Sequence, residues 1–433
     1  MAGYCLYRLK KRQVSYDSGA TWQDVSTPQY MKGDLIEADS NICGYAVYTR
    51  WVESGYTCDG YNKHALEFEQ ISNDNINWTS TGESRKGRLI EANSEDCGYV
   101  PPSYSGQYLT FVAQESGTFT FTPKNSNVIS YSTDNGSTWT QSSSVSVNAN
   151  DKVLWKDTMT PSASYPNQGV GIFSSSGRFT VEGNVMSLLY EDNFSGQTDL
   201  SGKNFAFNSL FSGCTTLTSA ENMILPATTL SSNCYYQMFY GCTSLTTAPS
   251  LPATTLVNYC YQNMFYGCSS LTTAPELPAT TLAVYCYDAM FGDCRSLTTA
   301  PSLPATTLAN GCYGGMFAGC TSLTTAPSLP ATTLARICYG DMFRGCTSLT
   351  TAPSLPATTL ANYCYRYMFS GCTSLSSITC LATNISAIDC TTNWLYGVAA
   401  NGTFTQAASM TPISWSRGNS GIPYSWTVVY YYN

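Results

Sequence analysis

Nineteen cysteines and one histidine, His64, bound the chemistry open to this 433-residue chain. Most of the cysteines fall in two rows. Cys234, Cys260, Cys286, Cys312, Cys338, Cys364 and Cys390 stand 26 apart, and Cys242, Cys268, Cys294, Cys320, Cys346 and Cys372 repeat the same step. Zinc would need Cys or His in local pairs such as C-x-x-C, and the chain has none. Disulfides need an oxidising compartment. The opening MAGYCLYRLKKRQVSY lacks the apolar core of a signal peptide. The reading is therefore a chain folded in a cytoplasm, its row cysteines reduced and buried as small apolar residues. One histidine leaves little room for Ser-His-Asp or Cys-His chemistry. No HExxH, Walker loop or GxSxG stands in a suitable context. The solenoid carboxylates are few, Glu276, Asp288, Asp293 and Asp341, which gives paired-carboxylate hydrolysis little to build on. The expectation is no enzyme, no metal and no cofactor.

Two segments share the pattern S-x-D-x-G-x-T-W. One runs from Ser15 through Asp17 to Trp22, the other from Ser132 through Asp134 to Trp139. An Asp in such a turn bonds its own backbone, Gly takes a left-handed position, and Trp packs beneath. Asp17, Asp134, Trp22 and Trp139 are thus expected to be structural turn residues. The pattern resembles the Asp-box of sialidases and related β-proteins, which implies a folding element away from any catalysis.

The elements that carry these residues follow from repetition. From Cys234 onward one phrase, CYxxMFxGCTSLTTAPxLPATTLxxx, recurs every 26 residues. A fixed period of that size marks a solenoid, in which each unit buries its apolar face on the next. Leu245, Ala248, Leu251, Leu256, Cys260, Met264, Phe265 and Cys268 return in every unit and should point inward. TTAPSL reads as a short strand, and CYxxMFxGC as one or two helical turns ended by Gly267. Upstream, KGDLIEADSNICGY (32–45) recurs as KGRLIEANSEDCGY (86–99). Alternating apolar residues between Gly, Asn and Ser turns continue to about residue 190. The fold class is mainly β, with small N-terminal β modules followed by a solenoid of 26-residue coils. The expected division is 1–47 and 48–103 as duplicated β modules, 104–190 as a β-sandwich-like module, 191–390 as the solenoid with its N-terminal cap, and 391–433 as a C-terminal capping segment.

The GC-xSL…LP…L…F-x-GC frame over about 205–390 resembles the BspA-like, or Treponema-type, leucine-rich repeat. Members of that family occur on bacterial surfaces and among adhesins. The joined modules also look like structural proteins of gut Bacteroidales tailed phages. The resemblance implies a non-enzymatic virion component, a fibre, tail or head-surface protein. A bacterial cell-surface adhesin is the alternative, and a glycan-active enzyme a weaker third reading. In the virion form the N-terminal modules would join other virion proteins, and a homotrimer suits fibre symmetry. A net charge of −8 and only 11% charged residues, against roughly 25% in ordinary proteins, disfavour a nucleic-acid partner. No segment has the roughly 18 apolar residues of a membrane span.

Comparison of the units with one another isolates the positions that change. They flank the first-row cysteines, and they include Tyr259, Gln262, Asn263, Tyr266, Tyr285, Asp288, Arg336, Arg344, Tyr363, Arg366 and Tyr367. Positions free of packing should be exposed and should stack into one stripe along the solenoid. Tyr, Asn, Gln and Arg are the residues of adaptable recognition surfaces. The stripe is the candidate binding face for a host-surface glycan or protein.

Overall fold

The computed structural model describes the backbone of 5–14, 23–24, 31–38, 48–59, 62–72 and 79–91, and residues 107–431 except 125–126, 164–167 and 411–414. The chain forms two compact units, Met1–Pro102 and Ser103–Asn433. In the first, strands β1 (Cys5–Val14), β2 (Gln23–Asp24), β3 (Met31–Ala38), β4 (Tyr48–Asp59), β5 (Asn62–Ser72) and β6 (Thr79–Glu91) form one sheet of order β2-β1-β4-β5-β6, with β3 also on β1. The two sequence copies are therefore not separate modules. β1 of the first pairs in parallel with β4 of the second, as suits copies too short to bury cores of their own. Asp17 and Trp22 lie outside the described residues.

The second unit begins as a sandwich. One face comprises β7 (Leu109–Ala113), β9 (Ser130–Ser132), β10 (Thr140–Gln141), β12 (Lys152–Lys156) and β14 (Phe179–Asn184); the other comprises β8 (Gly117–Pro123), β11 (Ser144–Val147) and β13 (Gly171–Ser175). Period-two alternation turns Phe119, Phe121, Val145 and Val147 inward. Phe111 sits at the centre, edge-on to Phe173 at 4.7 Å and to Phe119 at 5.3 Å. No boundary separates sandwich from solenoid. β15 (Leu217–Ile224), in the first coil, pairs in parallel with β14 and extends the larger sheet. The sandwich is itself the cap on the solenoid's first coil.

The coils differ from the sequence reading in both elements. CYxxMFxGC is not helical. Every fourth residue is left-handed, as at Tyr259 (φ 60°), Asn263 (55°) and Gly267 (75°), and this breaks any run of i→i−4 bonds. Alternate N–H groups point two ways. Those of Cys260, Gln262, Met264, Tyr266 and Cys268 close turns on the carbonyl three residues back. Those of Tyr259, Tyr261, Asn263, Phe265 and Gly267 donate to Val284, Cys286, Asp288, Met290 and Gly292 in the next coil. TTAPSL is not a strand either; it is reduced to single bridges such as Thr299 to Thr325. Pro301 and Pro304 remove the N–H groups that a longer ladder needs. Where the phrase loses its prolines, strands form: β15 at LTSAENMI and β16 (Ser377–Cys380) at SITC.

Inside, the repeat stacks like on like. The Phe column from Phe211 to Phe369 has ring centroids 5.4–5.8 Å apart and nearly parallel planes. The Tyr after each first-row cysteine from Cys234 to Cys364 is fully buried as well, in a second column from Tyr235 to Tyr365. Trp394 stacks on Tyr365 at 6.1 Å and Trp415 on Trp394 at 5.4 Å. β16, β17 (Thr403–Ala407) and β18 (Thr427–Tyr431) are parallel neighbours. The described residues of 391–431 thus prolong the solenoid with coils of degenerate sequence, although the sequence suggested a separate capping segment.

The fifteen cysteines from Cys214 to Cys390 are free and buried. The second-row thiols donate to the Phe carbonyl of the preceding coil, as from Cys268 to Phe239 at 3.1 Å. Burial pushes Cys234, Cys286 and Cys338 up to about 12, and Tyr235, Tyr261 and Tyr287 well above the ordinary phenol value. The fold therefore holds protons that the unfolded chain releases. The stability these groups confer is complete below the unfolded thiol value of 9.0 and is lost as pH climbs from there toward 12. Each such thiol is worth up to about 1.4 kcal/mol per pH unit in that window. The urea midpoint should fall steeply between pH 9 and pH 12, and an unchanged midpoint would contradict the buried columns.

Candidate binding face

The left-handed rhythm decides where the variable residues sit. Tyr259, Asn263, Tyr285, Tyr363 and Tyr367 all occupy left-handed positions, as do Ile337 and Asp341. The signal for this was present in the sequence as a period of four in Gly, Asn and Asp, plainest at Gly311, Gly315 and Gly319. These residue types enter the left-handed region at least cost.

The stripe is less open than its sequence variation suggested. Arg336, Arg344 and Arg366 are exposed, whereas Tyr259, Gln262, Asn263, Tyr266, Tyr285, Asp288, Tyr363 and Tyr367 are half-buried. The cause is contact along the stack. Tyr259 stacks on Tyr285 at 5.6 Å, and Tyr266 on Tyr240 at 5.3 Å. Gln262 donates to Asp288 at 2.8 Å, and the Tyr266 hydroxyl donates to Asp293 at 2.9 Å. Burial pushes the Asp288 carboxyl up to about 6; the Gln262 bond opposes this and the charge of Asp341 adds to it.

Glycines divide the stripe in two. A Cβ on Gly311 would lie 2.2 Å from the Tyr285 ring, and one on Gly292 would lie 2.5 Å from that of Tyr266. Each tyrosine leans into room that the next coil leaves open. Before Gly311 the side chains are neutral or acidic. After it arginine and tyrosine predominate, with Asp341 paired to Arg344 at 3.5 Å: Arg336 lies 5.1 Å from the centre of the Tyr363 ring and Arg366 5.1 Å from that of Tyr367, both within cation–π range. Two chemically distinct patches thus share one face.

Asp134 lies elsewhere, in the turn between β9 and β10. It accepts from the Thr138 backbone N–H at 2.8 Å, from the Thr138 hydroxyl at 2.6 Å and from the Ser132 hydroxyl at 2.7 Å. Asn135 and Gly136 take left-handed φ, and half-buried Trp139 lies against Gly136. Lys156 Nζ sits 4.4 Å from the centre of the Trp139 ring and 2.6 Å from Asp192. This lysine cage was not legible beforehand, because its members are distant in the chain. Among the described residues no group of three His, Cys, Asp or Glu could hold a metal, and no helix is long and apolar enough to cross a membrane.

A β-sandwich continued into a solenoid of turn-linked coils is a repeat scaffold. Residues 206–323 and 290–391 match the BspA type leucine rich repeat region, in six copies. No curated protein and no solved structure matches the chain.

Two expectations follow. The bonds from Thr138 and Ser132 hold the Asp134 carboxyl down at about 2. Its contribution is present above the ordinary value of 3.8 and is lost as pH falls through 2. Carboxyl NMR titration should show that midpoint, and one near 3.8 would remove the turn network. Ile337 is β-branched at φ 60°, a conformation such residues avoid. Ile337→Asn should stabilise the chain by about 1 kcal/mol, and a lower thermal midpoint would refute the strain.

Proposed function

We propose that the protein is a non-enzymatic, surface- or adhesion-type repeat protein whose solenoid face holds a glycan or a protein on a cell surface. One observation carries this reading. Tyr259, Tyr285, Tyr363 and Tyr367 keep bulky rings at left-handed φ, where Gly311 and Gly315 stand without strain in the intervening coil. A non-glycine residue there costs roughly 1–2 kcal/mol. Strain held at one face, when the same molecule contains its relief, argues for a use of those rings in binding. Tyrosine offers a wide contact area at small entropic cost, and the neighbouring arginines add charge-assisted bonds.

The finer form of the reading is a virion structural protein of a tailed phage, attached through its N-terminal modules to other virion proteins and assembled as a trimer. Its support is the buried free thiols of the solenoid, which suit folding in a reducing cytoplasm before incorporation into a particle. A bacterial cell-surface adhesin is the alternative. Immunogold labelling separates them: gold on phage particles supports the first, and gold on uninfected cells the second.

The face itself is tested by Tyr259→Asn, Tyr285→Asn, Tyr363→Asn and Tyr367→Asn combined. Asparagine tolerates the left-handed region, so the thermal midpoint should hold or rise. Attachment of the labelled protein to bacteria of the source community should weaken at least tenfold, about 1.4 kcal/mol. A lower midpoint with unchanged attachment would make these rings structural and place recognition elsewhere.

A further inference from the structure

A cleft of about 420 Å³ opens where the sandwich meets the first coils, lined by Gln114, Arg178, Thr218, Ser244, Thr246 and Ser270. None of these belongs to the variable stripe. The backbone builds its wall. Gln114 N–H donates to the Arg178 carbonyl at 2.8 Å, so the residue after β7 and the residue before β14 are held side by side. The Thr218 hydroxyl lies 2.9 Å from the Gln114 side-chain oxygen and 3.0 Å from the Phe179 carbonyl, so its one proton is shared between two acceptors. Thr246 gives its hydroxyl to the Thr218 carbonyl at 2.9 Å. The Ser244 and Ser270 hydroxyls have no hydrogen-bond partner among the described residues. Arg178 is 62% exposed, and its guanidinium meets Glu115 only loosely, at 4.0 Å.

The lining thus offers donors: a guanidinium and two serine hydroxyls. The one carboxylate beside it, that of Glu115, lies 4.0 Å from the Arg178 guanidinium and accepts from the Arg178 backbone N–H at 3.2 Å. We propose that this cleft binds the acidic sugar of a linear glycan, with the sugar carboxylate paired to Arg178. Guanidinium and carboxylate match in a planar two-bond fork. A lone arginine on a chain of net charge −8 does not suit a polyphosphate backbone, and a polar lining does not suit an apolar ligand. The floor explains why the ligand is a polymer. Ser244 and Ser270 are continued by Ser296, Ser322 and Ser348, and Thr246 by Thr272, Thr298 and Thr324, all half-buried or exposed. A chain leading away from Arg178 meets the same hydroxyls at each coil, so a repeating ligand meets a repeating surface.

The test is calorimetric titration of the full chain with two acidic probes, a galacturonic acid hexamer and sialyllactose, beside their carboxyl-reduced forms. At least one acidic probe should bind about tenfold tighter than its reduced form or better, the scale of a single charge-assisted contact. Whichever acid is preferred names the sugar. Arg178→Gln should abolish that preference with an unchanged thermal midpoint, because the side chain is exposed and loosely paired. Glu115→Gln should strengthen binding by removing the competing carboxylate. The four-tyrosine variant should bind these probes as the unaltered chain does, which keeps the cleft separable from the stripe. Equal affinity for acidic and reduced forms, no saturable binding, or an Arg178→Gln variant that retains the preference would overturn the proposal.

Discussion

Half of the backbone donors in each turn segment have no partner in their own coil. The N–H groups of Tyr285, Tyr287, Ala289, Phe291 and Asp293 are satisfied only by carbonyls of the following coil. A buried amide without a partner costs roughly 1–3 kcal/mol, so a single coil cannot stand alone. The same geometry requires a left-handed residue at each fourth position, because that reversal aims alternate donors along the solenoid. The buried Phe, Tyr, Met and Cys columns then fall in line, since equivalent side chains must superpose once the backbones are bonded in register.

Much of this was legible from the period. The 26-residue step placed Leu245, Leu251, Met264, Phe265 and both cysteine rows inside, where they are buried. Local conformation was read less well. Apolar residues at i, i+4, i+5 and i+8 imitate a helix, and the competing signal, Gly or Asn every fourth residue, is weak wherever Tyr, Ile or Gln replaces it. The strand expected at TTAPSL was to be short and its ladder interrupted, because Pro249 and Pro275 lack an N–H; in the fold proline reduces it further, to single bridges. Tyr261 and its equivalents, constant in the repeat phrase, were not among the residues expected to point inward, yet they are fully buried.

What the sequence could not offer was anything built between distant segments. The sandwich caps the solenoid through β14 and β15, and Phe173 of the sandwich stacks on Phe211 of the first coil at 5.7 Å. The cleft at Arg178 exists only because of that splice. At the other end, Trp394 and Trp415 carry the Tyr column past the last recognisable repeat; the phrase decays there while the stacking does not. The stripe joins both levels: its membership came from repeat-to-repeat variation, whereas its strain and its division at Gly311 are visible only in the fold.

The dependence of each coil on the next is tested most directly by deletion in and out of register. Removal of residues 312–337 takes out one full period and should leave a shorter solenoid that keeps its tyrosine near-ultraviolet signal and unfolds cooperatively. Removal of 312–336 shifts every downstream donor and ring by one residue against the coil before it. That chain should lose the signal and become sensitive to protease. Equal folding of the two deletions would contradict the account, because it would mean that coil-to-coil bonding does not set the structure.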